Sequence, residues 1–193
     1  MKLGLTGGIG CGKSTVVGLF KEAGWCTVET DALVRDLLAE DAEVQAQLAS
    51  RWGREVFRED GTVDRKAIAA RVFSDPDSLE WLESLLHPRV RKSWEAILAA
   101  HPNQPSLVEI PLLFEKRLET QFDLTVCIAC SPEVVDSRML ERGYSAAEIA
   151  QRRERQMPLE DKIQRADYLI ANSGSLEFLK RQTNQLIGQI AEG

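Results

Sequence analysis

Residues 7–14 read Gly-Gly-Ile-Gly-Cys-Gly-Lys-Ser and fit the spacing GxxxxGK[ST] without a mismatch. The apolar run KLGLT (2–6) leads into them, and STVVGLFKEAG, patterned as a helix, follows. A strand, a glycine loop and a helix form the context in which this pattern holds phosphate. Gly8, Gly10 and Gly12 permit positive φ and close approach of backbone N–H groups to phosphate oxygens. Cys11 and Thr15 belong to the same nucleotide-binding run, and the helix N-terminus adds partial positive charge. Lys13 suits the β- and γ-phosphates, and the Ser14 hydroxyl suits Mg²⁺. The plain alternative is a glycine-rich turn with no ligand; the strand and helix on either side weigh against it.

The loop does not say where the phosphate goes. A GTPase would carry NKxD and DxxG segments, and the sequence has neither. A motor ATPase would end a hydrophobic strand in Asp or Asp-Glu. The corresponding run here is LVEIPLLFE, in which Glu109 is a weak match. A small-molecule kinase needs an acceptor-binding insertion and an arginine-rich lid that closes over the phosphates and excludes water. The sequence offers both. It also offers an acid at the right place: Asp31 follows CTVET (26–30), at the carboxyl end of a strand, where open parallel sheets bind ligands. Asp31 could accept a hydroxyl proton or help hold Mg²⁺; equally, it could cap the helix ALVRDLL.

The elements that must position these groups are legible as five short apolar runs: KLGLT, CTVET, SLVEI (106–110), DLTVCIA (123–129) and DYLIA (167–171). Apolar rather than alternating, they suit a parallel sheet covered on both faces, and helical segments between them make repeated βαβ units. Residues 31–105 separate the second and third runs, far more than one crossover helix needs. ALVRDLLAE, EVQAQLASRWG, DRKAIAARVF, DSLEWLESLL and PRVRKSWEAILAA all carry helical spacing there. The expected organisation is a core of 1–30, 102–130 and 166–193, a helical acceptor domain of 31–101 and a lid of 131–165. The lid segment holds Arg138, Arg142, Arg152, Arg153, Arg155 and Arg165. Arg138 and Arg142 share a helical face; a solvated basic face is the alternative. The closing segment carries Leu176, Leu179, Leu186, Ile187 and Ile190 on one face of an amphipathic helix.

Composition bounds the rest. A chain of 193 residues with 44% hydrophobic and 28% charged residues is that of a soluble globular protein. Its net charge of −6 offers nucleic acid no basic field. No apolar run approaches a membrane span, and the start has no signal-peptide layout, so a cytoplasmic monomer is the expectation. Cys127 and Cys130 form CxxC, but in a buried strand residues three apart face opposite sides of the sheet. No second ligand pair completes a zinc site, so both read as small buried side chains.

TGGIGCGKST, Asp31 before ALVRDLL, DGTVDRKAIAARVF, LESLLHPRVR, EIPLLFE and ADYLIANSGS, in this order, resemble the dephospho-coenzyme A kinase family over essentially the whole chain. LLHP with PLLFE at this distance from the loop is the specific part. The resemblance implies a P-loop α/β sandwich with strand order 2-3-1-4-5, ATP and Mg²⁺ as donor and cofactor, and the ribose 3′-hydroxyl of dephospho-CoA as acceptor. It implies Asp31 as the catalytic aspartate, with Lys13 and Arg138 beside it; the family's Asp-Ala-Asp reads Glu29-Thr30-Asp31 here. His87 and Pro111, Leu112, Leu113 and Phe114 match acceptor-side segments. His87 could instead bridge helices, and Phe114 with its leucines could be core. Arg65 is an acceptor contact or a surface ion-pair partner. Arg138 and Arg142 match lid arginines. Asn172 matches a position near the adenine, or is a turn residue before Gly174. Another small-molecule kinase and a non-catalytic nucleotide-binding regulator are the rival readings.

Overall fold

The computed structural model describes residues 1–192; Gly193, the last residue of the expected core segment, lies outside them. Five strands form one parallel sheet: β1 (Lys2–Gly7), β2 (Cys26–Glu29), β3 (Ser106–Glu109), β4 (Leu124–Ala129) and β5 (Tyr168–Ala171). Their order is β2-β3-β1-β4-β5. All five runs read from the sequence are strands. β2 stops one residue early because Thr30 already belongs to the next helix.

The chain divides into two compact units, one of Met1–Glu29 with everything from His101 on, the other of Thr30–Ala100. In the first, α1 (Lys13–Glu22) and α9 (Leu176–Glu192) flank the sheet. α1 buries Val16, Val17, Leu19 and Phe20, with the Phe20 ring edge-on to Trp25 at 5.0 Å. α9 buries Leu179, Thr183, Leu186 and Ile190, a stripe at spacings of three and four. Leu176, expected on that face, is instead exposed at the first turn. Segment 131–165 folds as α6 (Pro132–Glu141), α7 (Ala146–Glu154) and α8 (Leu159–Arg165). Ser145 and Glu148 form a capping box that starts α7. Val135, Met139 and Ile149 from this segment join the core beneath β1 and β4. At the sheet's β5 edge, the Gln182 amide closes on one residue from both sides. Its Oε1 accepts from the Ala171 N–H at 3.2 Å and its Nε2 donates to the Ala171 carbonyl at 2.7 Å.

The second unit is helical: α2 (Thr30–Glu40), α3 (Ala42–Trp52), a 3₁₀ turn (Gly53–Val56), α4 (Arg65–Ser74) and α5 (Pro76–Ala99). Asp41, Asp64 and Asp75 cap α3, α4 and α5 with their carboxylates. Leu38, Val44, Leu48, Trp52, Val56, Ile68, Val72, Leu82, Leu85 and Leu86 form a core of its own. The two segments read from the sequence as DSLEWLESLL and PRVRKSWEAILAA are a single helix with Pro88 inside it. Pro88 cannot donate to the Ser84 carbonyl. The helix continues because its buried row, Leu82, Leu86, Val90 and Trp94, runs at steps of four straight past the proline.

Candidate active site

The phosphate loop leaves the end of β1 and turns through two left-handed glycines, Gly10 at φ 72° and Gly12 at φ 90°. A Cβ on Gly12 would lie 2.4 Å from Asn172 Nδ2, so only glycine fits. Cys11 N–H donates to the Gly8 carbonyl at 3.3 Å, and Thr15 and Val16 N–H to the Gly12 carbonyl at 3.1 and 3.3 Å. The N–H groups of Lys13 and Ser14 open α1, where no intrahelical acceptor exists. A helix N-terminus of this kind favours an anion. Ser14 and Thr15 are exposed. Ile9 N–H donates to Gln156 Oε1 at 3.1 Å, tying the loop to the chain between α7 and α8.

Lys13 curls back over the loop. Its Nζ donates to the carbonyls of Gly7 at 3.3 Å and Gly8 at 3.2 Å and lies 3.8 Å from Glu109 Oε1. Glu109 ends β3, opposite Leu5 in register, and is buried. A weak match in the sequence, it is in the structure the carboxylate facing the loop lysine.

Asn172 braces the loop from below. It is buried; its Nδ2 donates to the Cys11 carbonyl at 2.8 Å, its N–H donates to the Ala129 carbonyl at 2.7 Å, and its carbonyl accepts from Cys130 Sγ at 2.8 Å. Cys130 lies just past β4 rather than within it. Both CxxC thiols are buried. Burial, and then the neighbouring Cys130, push the Cys11 thiol up to about 12, so it stays protonated at neutral pH. Arg138 Nη1 donates to Cys130 Sγ at 3.1 Å. Cys11, Asn172, Cys130 and Arg138 thus form one chain of contacts from the loop to α6. The other arginines of the segment are dispersed. Arg142 is exposed at the C-terminal end of α6. Arg153 pairs with Asp136 at 2.6 Å, Arg152 lies over the Tyr144 ring at 5.0 Å, and Arg165 pairs with Glu119 and lies 5.0 Å over the Phe114 ring.

After β3, the Pro111 carbonyl accepts from Thr6 Oγ1 at 3.2 Å and from Lys162 Nζ at 2.8 Å. Pro111 and Leu112 are half-buried, whereas Leu113 and Phe114 are core. Lys162 is wholly buried and pairs with Glu115 Oε1 at 2.7 Å; the same oxygen accepts Met157 N–H at 2.8 Å. Sequence reading missed Lys162 and Gln156. LEDKIQR looks like a solvated face, and the only signal was a glutamate forty-seven positions earlier, at the end of EIPLLFE.

The remaining expected residues belong to the second unit. Asp31 is exposed in the first turn of α2, inside the helix rather than ahead of it, where a carboxylate favours the helix dipole. Arg65 opens α4 and His87 lies in α5, both exposed. Among the described residues no group of three or more His, Cys, Asp or Glu side chains could hold a metal ion.

The dephospho-CoA kinase family model matches residues 1–177. A dephospho-CoA kinase of Thermosynechococcus vestitus is 38% identical over 100% of this chain and 96% of its own. That of Anaeromyxobacter dehalogenans is 37% identical over 99% and 92%. A crystal structure from Thermus thermophilus superposes with a TM-score of 0.85 at 36% identity, covering 98% of this chain and 97% of that one. Dephospho-CoA kinase from Campylobacter jejuni gives a TM-score of 0.73 at 25% identity over 100% and 99%. With the phosphate loop, the sheet order and this agreement along the chain, the protein belongs to the dephospho-CoA kinase family.

Proposed function

We propose that the protein transfers the γ-phosphoryl group of ATP to the ribose 3′-hydroxyl of dephospho-CoA, giving coenzyme A and ADP, the last step of coenzyme A synthesis. The observation that carries this reading is the family match across residues 1–177, which includes an intact phosphate loop. On this reading the loop amides and Lys13 bind the donor phosphates. Charge spread over the transferring group is stabilised by Lys13 and Arg138, with Arg142 at the end of the same helix. Ser14 Oγ would hold Mg²⁺, which when bound would supply further positive charge to the donor phosphates. Asp31 accepts the proton of the 3′-hydroxyl or orients it for in-line attack. Thr30–Ala100, with Arg65 and His87, is the acceptor-binding unit, and Pro111 and Leu112 are acceptor-side residues. Residues 131–165 act as the lid, and Asn172, which braces the loop backbone, belongs to the nucleotide-binding residues near the adenine. No helix among the described residues is long and apolar enough to cross a membrane. We assign the enzyme to the cytoplasm as a monomer acting on a small molecule.

The test is ADP release by the wild type and Asp31→Asn with MgATP and dephospho-CoA, AMP, CMP or adenosine. Turnover with dephospho-CoA alone, lowered by a factor of about 100 or more in the variant, is expected. Turnover on a nucleoside monophosphate would overturn the acceptor. ATP binding without turnover on any acceptor would make the protein a regulator.

A further inference from the structure

The structure assigns a positioning role to Lys162: with Glu115 it sets the acceptor-side segment at Pro111 in register with the phosphate loop. The assignment rests on reading Pro111 and Leu112 as acceptor contacts. Lys162 is wholly buried, and its ammonium makes two contacts, to the Pro111 carbonyl at 2.8 Å and to Glu115 Oε1 at 2.7 Å. Removing an ammonium and a carboxylate from water is expensive, and a well-packed apolar pair of similar volume would serve stability as well or better. What an apolar pair could not do is hold a main-chain carbonyl at a fixed point. The Pro111 carbonyl is that point. It is gripped from one side by Lys162 and from the other by Thr6 Oγ1 of β1, the residue before the phosphate loop begins.

The second half of the argument lies in the short segment that carries Lys162. Gln156 takes the Ile9 N–H of the phosphate loop at 3.1 Å, and the next residue, Met157, donates its N–H to Glu115 Oε1 at 2.8 Å. Residues 156–162 therefore form a strap, with one end bonded to the donor loop and the other to the acceptor-side segment. Both oxygens of Glu115 face inward: Oε1 takes the two donors and Oε2 is buried without a partner among the described residues. A carboxylate left half-satisfied is tolerated where its geometry matters more than its contribution to stability. Lys162 touches neither the reacting atoms nor the loop amides; it acts through Pro111.

The experiment compares wild type, Lys162→Met and the neutral double variant Glu115→Gln/Lys162→Met, each checked for cooperative thermal unfolding. The KM for dephospho-CoA and the kcat are measured at saturating MgATP, and the Kd for MgATP is measured by calorimetry without acceptor. The double variant leaves no unpaired buried charge, so it separates folding from positioning. The expected result is a KM for dephospho-CoA raised about tenfold or more, with the ATP Kd within about twofold of wild type. An unchanged acceptor KM, an equal rise in both constants, or a double variant that no longer unfolds cooperatively would each overturn the assignment. Wild type inactive on dephospho-CoA would instead overturn the proposed function from which the assignment starts.

Discussion

Cys11 and Cys127 are thiols kept from water, and at the scale of the single residue they make the fold sensitive to alkali. Burial pushes Cys127 up to about 11 and Cys11 to about 12, against an ordinary value of 9.0 in the unfolded chain. A raised folded-state pKa gives stability that is complete below 9.0 and is lost as pH rises through the folded values, because the unfolded chain releases its protons first. Wild type should therefore lose stability between about pH 9 and 11, beyond the loss from its other bases. In Cys127→Ala the slope of urea-unfolding free energy against pH above 9 should fall by close to one proton's worth. Equal slopes in the two proteins would show that Cys127 does not titrate with unfolding. The loop residues were legible one by one because GxxxxGK[ST] is a backbone requirement written in side chains. Asn172 was legible as a residue near the adenine or as a turn residue before Gly174. Its amide is spent on the Cys11 carbonyl, a long-range bond that no local pattern announces.

At the scale of the element, α5 carries a proline where an unbroken helix needs an N–H. Pro88→Ala would restore the donor to Ser84 and relieve the ring's clash with that carbonyl, raising stability by about 1–3 kcal/mol. Chemical denaturation with circular dichroism at 222 nm checks this; a lower midpoint would mean that the proline is needed for packing. Proline is a sound stop signal when propensity decides, and it divided this helix in the sequence reading. Here the buried row Leu82, Leu86, Val90 and Trp94 decides, and packing overrides the local break. The strands failed in no such way. They are short, apolar on both faces and bounded by turns, so period and length sufficed. α8 was harder: seven residues with four charges hide a lysine with no exposed surface.

At the scale of the whole molecule, the long interval between the second and third strands announced an inserted body. In the structure Thr30–Ala100 is a compact unit with a hydrophobic core of its own. Net charge and apolar patterning spoke to solvent and said little of neighbours. The sheet says more. A parallel sheet ends in strands whose outward backbone groups can recruit another chain, and β5 is one of those ends, with Leu169 exposed on it. Gln182 spends its amide on the outward N–H and carbonyl of Ala171, imitating one residue of a sixth strand and so completing the ladder at that point. Gln182→Ala should leave turnover unchanged but raise light scattering with concentration on mild heating, and scattering equal to wild type would count against the idea. Seen this way, the glutamine is a plug: it denies an incoming strand a rung at the sheet's edge, and colloidal behaviour in a crowded solution depends on one side chain that touches no substrate.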